Sequence, residues 1–370
     1  MNEITLPATT VRGNRDPDNV TLEVGDLALS GWQHVRITRG MERVPGDFEI
    51  SYTEKFPGMQ NVLVNPGAAC VLKIGGDTVL TGYVDRVSHS IGPYEHPMSI
   101  TGRGKCADLV DCSASIGAFN YNNVSTMEMA RALCAPFGIE VIGSEGMRHP
   151  QVVLSVGETP YTVIDRLCKL AQLLCYEDEF GRMVLTALSD TAAAGGLKEG
   201  VNVENASFVR DWTNRYSEYR IYPIGNGIAN EIGQIPMEEF VYVDSEINRF
   251  RPLAMVSIYG DAGYEVSKAR AMWELNRRYG RGNALTVTTD SWRDAEGALY
   301  APNTLIPIAL PSLHVLPDIQ WTVGEVTYSR GMEGTHCDLT IMPRDAFLPE
   351  PILDVPTNIV DANAALRRGG

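Results

Sequence analysis

The chain has 370 residues, 44% of them hydrophobic, and a formal net charge of −15 at pH 7. One hydrophobic core rarely serves that length, so about two to four domains are expected, and 35 glycines with 21 prolines suit many short strands better than a helical bundle. The negative charge argues against a dedicated nucleic-acid binder, because the phosphate backbone rewards Lys and Arg.

Residues 2–19 are polar and carry Pro7 and Pro17, which reads as an arm or an edge strand. They show neither a cationic start nor an apolar run, so a signal peptide is not expected. No stretch of 18 apolar residues follows, so no membrane-spanning helix is expected. The segment from Leu29 to Ile50, "LSGWQHVRITRGMERVPGDFEI", alternates. Val35 and Ile37 point one way, His34, Arg36 and Thr38 the other; after the Pro45-Gly46 turn, Phe48, Ile50 and Tyr52 alternate again. Period two on both sides of a turn predicts two antiparallel strands, each with one buried face. Ala68 to Ile74, Thr78 to Ser90 and Met98 to Gly102 read as further strands, and Gly82 suggests a bulge in the second of these. A barrel over residues 1–113 is expected.

Helical signals then begin. Ser125 with Glu128 three residues on forms a capping box, Met129, Leu133 and Phe137 form a stripe, and Gly138 ends the helix. Thr159 caps a second helix with Pro160 at its first position, and Val163, Leu167, Leu170 and Leu174 form its stripe. Glu177-Asp178-Glu179 reads as a solvated turn into another strand. Residues 114–205 are therefore read as a small α/β domain. Strand signals return over 206–243, a helix near Ser267 to Tyr279 lies within an insertion over 244–282, and strands resume over 283–348. The tail, 349–370, is expected to be extended. The fold class is α+β and mostly β: two similar antiparallel β-barrels, the second built from 206–243 and 283–348.

The second barrel is suggested by an internal repeat. "VLTGYVDRVSHS…MSITGRGKCAD" and "QWTVGEVTYSR…CDLTIMPRDAF" share a glycine, an acid, a Val and a closing Arg then Asp, and each strand set follows a proline, Pro66 and Pro302. Duplication would give six quasi-equivalent positions in a trimer.

Catalytic motifs fail on spacing. Gly143-Ser144-Glu145-Gly146 is not a nucleophile elbow. Gly104-Lys105 has Ser99 and Cys106 where a P-loop needs Gly and Ser or Thr. Gly225-Asn226-Gly227 lacks the third glycine of a dinucleotide fingerprint. The seven cysteines have no framework spacing; Cys168 and Cys175 read as small core residues with reduced thiols, implying synthesis in a cytoplasm. His336-Cys337 is the only close His/Cys pair. No catalytic residue, cofactor or metal is expected. Arg277, Arg278 and Arg281 end the third helix, either as a solvated end or as a contact to an acidic partner.

The segments "LSGWQHVRITRGMERVPGDFEI", "TGYVDRV", "TGRGKCADLVDCSA", "LCAPFGI" and "RDAFLP", in this order, resemble the baseplate hub protein of Mu-like contractile-tailed phages, a family related to the hub part of type VI secretion spike proteins. The resemblance runs from about Leu29 to Pro349. It implies a homotrimer whose six barrels form a torus around a central channel. One side would meet the sixfold tail tube protein and the other the threefold central spike protein, among other baseplate proteins. DNA would pass without specific binding, along a wall expected to be acidic, and no stable membrane insertion is implied. The setting would be the virion's tail baseplate, assembled in the host cytoplasm. Edge-to-edge barrel contacts would involve the Leu29–Ile50 hairpin and a counterpart near residues 210–224, placing Trp32, Val35, Ile37, Phe48, Tyr219 and Ile221 at the interface. The rival readings are a type VI secretion or tailocin hub, and a cell-wall hydrolase using Glu177 or Glu179.

Overall fold

The computed structural model describes residues 17–53, 64–92, 97–114, 117–225, 240–259, 263–315 and 319–349. The expected arm up to residue 16, the Asn226-Gly227 pair and the tail from residue 350 lie outside the described residues.

Seven strands come first: β1 (Val20–Val24), β2 (Leu27–Leu29), β3 (His34–Gly40), β4 (Asp47–Thr53), β5 (Ala69–Ile74), β6 (Asp77–His89) and β7 (Pro97–Gly104). An α/β unit follows, with α1 (Ala107–Asp111), β8 (Asn120–Ser125), α2 (Thr126–Cys134), β9 (Val141–Gly143), β10 (Arg148–Val153), α3 (Pro160–Leu170), β11 (Leu174–Glu177) and β12 (Met183–Thr186). The rest carries β13 (Leu197–Lys198), β14 (Val203–Arg210), β15 (Glu218–Gly225), β16 (Phe240–Val243), β17 (Pro252–Tyr259), α4 (Gly263–Arg281), β18 (Asn283–Thr289), β19 (Thr304–Leu305), β20 (Ile308–Ala309), β21 (Trp321–Gly331) and β22 (Gly334–Pro343).

The protein is mostly β, as expected, but the described strands close no ring. Twelve of them form one sheet in the order β14-β18-β22-β21-β3-β4-β7-β6-β5-β1-β2, with β19 on the edge of β21. The strand sets expected as two barrels meet where β21 pairs antiparallel with β3, from Glu325↔Gly40 to Arg330↔Val35. Behind the sheet lies one continuous core. Val35, Ile37, Phe48, Ile50 and Ile100 share it with Leu285, Val287, Tyr328, Leu339 and Trp292.

The two sets repeat each other strand for strand. β3-β4-β7-β6 and β14-β18-β22-β21 have the same chain order, pairing order and antiparallel sense. In each, the hairpin's first strand carries one extra residue, Asp85 in β6 and Gly324 in β21. Aligning these bulges makes Val84 equivalent to Val323. Each of these two carbonyls then accepts a backbone N–H from an equivalent residue: Gly67 to Val84 at 2.7 Å, Asn303 to Val323 at 2.9 Å. Both donors have positive φ and directly follow the prolines that marked the repeat, Pro66 and Pro302. The glycines do not correspond, because Gly82 lies three residues before its bulge and Gly324 is its own. The shifts in β6 fall at Val79 and Asp85, on either side of Gly82. Gly82 is instead required by close approach: a Cβ there would lie 1.9 Å from the Arg103 carbonyl oxygen.

β15 and β16 depart from the expected second barrel. They form a separate three-stranded sheet with β17, on which α4 packs, so the expected boundary at 243/244 runs through one sheet. Arg215 pins this sheet. Its guanidinium is fully buried, makes two-pronged bonds to Asp244 at 2.8–3.0 Å, reaches Glu246 at 3.0 Å, and lies against the Trp212 and Tyr279 rings. A buried cation persists only when so completely paired.

The helix ends of the α/β unit follow the sequence signals. Ser125 and Glu128 cap reciprocally, Thr159 caps ahead of Pro160, and Gly138 takes a left-handed conformation. Helix α3 stops at Leu170, Gln172 turns left-handed, and Leu174 enters β11 instead of extending the helical stripe. Cys168 and Cys175 are buried in this unit's core, which begins at Cys106 and Leu109.

Replacing Gly82 with Ala drives a methyl group into the β7 backbone, and overpacking of this kind costs about 1–3 kcal/mol. Gly76→Ala, where a Cβ meets nothing within 4 Å, should be close to neutral. Urea unfolding of the two variants checks the contrast; equal midpoints would refute the close-approach account.

Candidate functional site

Alternation gives the eight-stranded core of the sheet one apolar face and one polar face. On the polar face, Cα-paired residues line up across strands. One row runs Asn205, Thr288, Asp338, Thr327, Thr38, Asp47, Arg103. Another runs Ser329, Arg36, Glu49, Thr101, Arg86. Hydroxyls tie neighbours together: Thr38 Oγ1 and Thr327 Oγ1 are 3.1 Å apart, and Thr288 donates to Asp338 at 2.6 Å. Two of the arginines on this face, Arg36 and Arg103, bond to carboxylates. Arg36 reaches Asp47 at 2.8 Å; Arg103 reaches Asp85 at 2.6 Å and Asp111 at 2.8 Å. The bond from Arg103 holds the Asp111 carboxyl below its usual range, and the same pair of acids raises Arg103. The surface is hydroxyl-rich, with Arg36 and Arg103 neutralised and Arg86 exposed.

Among the described residues the duplicated strand sets leave two edges open, besides the end strand β2, which pairs with β1 alone. β14 pairs with β18, and beyond a single bridge from Glu199 to Val203 no described strand covers its other side. On β6, the edge away from β7 is covered by β5 only as far as Tyr83, leaving Asp85–Ser88 open among the described residues.

The residues expected at an interface sit elsewhere. Trp32, Val35, Ile37 and Phe48 are buried in the chain's own core. Tyr219 and Ile221 are fully buried in the separate sheet under α4. Both edges of β3 are used inside the chain, by β4 and β21. Alternation correctly marks a buried face; what buries it is this chain.

Glu177-Asp178-Glu179 is not a solvated turn. The Glu177 carboxylate is buried and accepts N–H bonds from Gly46 at 3.1 Å and Cys106 at 2.8 Å. Gly104 must lack a side chain, since a Cβ there would lie 1.9 Å from Glu177 Oε2. Asp178 caps its own turn through Phe180 and Arg182, and Glu179 bonds Arg39 at 2.9 Å. These contacts fasten the α/β unit to the β3–β4 turn and to the end of β7. At the end of α4, Arg281 and Arg277 bond Glu42, Arg277 also reaches the Leu348 carbonyl at 3.0 Å, and Arg278 bonds Glu274. Those cations are engaged within the chain. Among the described residues, no group of three His, Cys, Asp or Glu side chains is placed to hold a metal ion, and no helix is long and apolar enough to cross a membrane.

Family models match three stretches: Mu phage baseplate assembly protein GpP-like, N-terminal, over residues 19–104; baseplate hub protein gp44-like, second domain, over 106–187; and Mu phage baseplate assembly protein GpP, fourth domain, over 264–350. The first two meet where Glu177 bridges Gly46 and Cys106. The baseplate hub protein gp44 of Escherichia phage Mu is 28% identical over 364 residues, covering 95% of this chain and 93% of that protein. The crystal structure of the prophage MuSo2 43 kDa tail protein from Shewanella oneidensis is 31% identical, with a TM-score of 0.79, over 90% of this chain and 100% of that one. The E. coli c3393 protein, a type VI secretion component, shares the fold, with a TM-score of 0.53 at 14% identity over 90% of this chain and 80% of that one. Fold and matches together define a structural component of a phage tail. The chain belongs to the family of Mu-like phage baseplate hub proteins.

Burial pushes the Glu177 carboxyl up from 4.5 to about 7, against the pull of its two N–H donors. The native state therefore holds a proton that the unfolded chain releases near pH 4.5. Stability from this group is fully present below pH 4.5 and is lost as pH rises through about 7. The span corresponds to a loss on the order of 3 kcal/mol. Glu177→Gln cannot titrate and turns an amide NH₂ toward a backbone donor, so it should be less stable at pH 5 and should lack this part of the decline between pH 5 and 8. Denaturant midpoints across that range check it; an unchanged slope in the variant would be the failure.

Proposed function

We propose that the chain forms a homotrimeric hub in the phage baseplate, joining the sixfold tail tube to the threefold central spike around a channel for DNA. The observation that carries this reading is the duplicated strand set. A threefold object and a sixfold object cannot share identical contacts, but three chains that each present two equivalent strand sets offer both symmetries. Each strand set serves as one barrel-like unit of the ring.

The channel wall in this reading is the polar face of the sheet. The apolar face is already packed against the chain's own core, which leaves the hydroxyl-rich face open. Arg36 and Arg103 on it are held by carboxylates, which leaves Arg86 as the cation that passing phosphates would meet there. The type VI likeness supports the same hub geometry in a related machine. The hydrolase reading loses support from the bonding of its residues, since Glu177 is engaged by two backbone donors and Glu179 by Arg39.

Light scattering tests the assembly. Three chains of 40.5 kDa give an expected mass of about 121 kDa, and image averages of the particles should show a threefold ring with an open centre. A monomer at every concentration, or a trimer without a hole, would overturn the reading.

A further inference from the structure

We infer that Cys168 and Cys175 form a redox site in the α/β unit, where hydrogen peroxide converts the two thiols to a disulfide that locks β11 to the end of α3. The site does not depend on the hub reading. Cys168 lies in the last turn of α3, and Cys175 is the second residue of β11. Residues 169–174 separate them, and this turn folds back on itself: the Leu173 N–H bonds the Cys168 carbonyl at 2.8 Å. The two thiols meet across the turn and hydrogen-bond to each other.

Access sets Cys175 apart from a packed core thiol. Cys168 is fully enclosed, whereas Cys175 is 6% exposed and lines a cleft of about 370 Å³ with Met41, Tyr161, Asp165, Lys169 and Trp273. The Cys175 sulfur is held at three points. Its S–H donates to Asp165 Oδ1 at 3.9 Å, and it accepts from the Cys168 thiol and the Tyr161 hydroxyl. The bond to Cys175 and then burial push the Cys168 thiol well up, and burial and then Cys175 do the same to Tyr161, so both remain donors. Lys169 is anchored by its 2.6 Å bond to Asp165. Two donors aimed at one sulfur, with a cation close by, favour a thiolate there.

The Cys175 thiolate attacks one peroxide oxygen. The O–O bond breaks, hydroxide leaves and takes up the proton that Cys175 gave away, forming water, and Cys175 becomes a sulfenic acid. The Cys168 thiol then attacks that sulfur. The S–O bond breaks, and the second hydroxide leaves as water with the Cys168 proton. Two thiols have lost two electrons, and the peroxide has gained them. The new bond fastens the strand that seats the α/β unit, since β11 carries Leu174, packed with Met41 and Phe347, and Glu177, bonded to Gly46 and Cys106. Thiols stay reduced in a cytoplasm and oxidise outside it, so the lock would set in a released particle.

The test treats the full-length chain, purified reduced, with hydrogen peroxide, then unfolds it, alkylates the remaining thiols and digests with trypsin. Peptide 167–169 should be recovered linked to peptide 170–182, and added thiol should separate them. In Cys168→Ser, Cys175 should stop at the sulfenic acid and be captured by dimedone; in Cys175→Ser, Cys168 should remain open to alkylation. The oxidised chain should unfold at a higher denaturant midpoint than the reduced one, and equal midpoints would remove the lock. Cys112, the exposed thiol, is the internal standard for oxidation. If Cys112 is oxidised while Cys168 and Cys175 are both still alkylated, the inference is overturned; a link that forms only in chain already unfolded overturns it equally.

Discussion

Six consecutive residue pairs between β3 and β21 hold this molecule in one piece. Their strands are separated by most of the chain, with Thr38 and Thr327 289 positions apart. Without that ladder there would be two smaller sheets, each with an additional open edge. With it, the core runs unbroken from Val35 to Leu339. Closing so long a loop costs only slowly increasing entropy, but pairing distant strands slows folding. The N-terminal strand set must therefore wait, with β3 exposed along one side, until the C-terminal hairpin exists.

Glu177 performs the corresponding task for the α/β unit. A carboxylate buried with two backbone donors is costly to ionise and costly to leave unpaired. It fixes three segments together: the β3–β4 turn, the start of α1 and the end of β11. Gly104 is part of the same arrangement, since the carboxylate occupies the space a side chain would take. Sequence-neighbouring acids do unrelated work, one capping its own turn and one bonding Arg39.

How much of this was legible in the sequence depended on how local the cause was. The Leu29–Ile50 hairpin, the Ser125 and Thr159 caps and the Gly138 helix end are set by contacts within a few residues, and all stand as read. The repeat was visible through Pro66 and Pro302, because each precedes a residue whose positive φ is dictated by the same turn. The glycine pair that also suggested it was coincidental. Gly82 answers to the backbone of β7 and Gly324 to its bulge, and neither cause leaves a mark in the local pattern. Burial of Glu177 was illegible for the same reason: its donors come from Gly46 and Cys106, far away in sequence, while three consecutive acids look like solvent. The separate sheet under α4 was missed because period two identifies a strand and its buried face without naming the neighbour. Trp32, Val35 and Tyr219, expected at an interface between chains, are buried within the chain itself.

Carrying two versions of one strand set in a single polypeptide also has a consequence for divergence. In a ring of six identical subunits, any substitution at a junction is imposed on all six. Here the position held by Thr38 in one strand set is held by Val209 in the other, and Thr327 is matched by Ser88. The two strand sets can therefore accumulate different residues independently of each other.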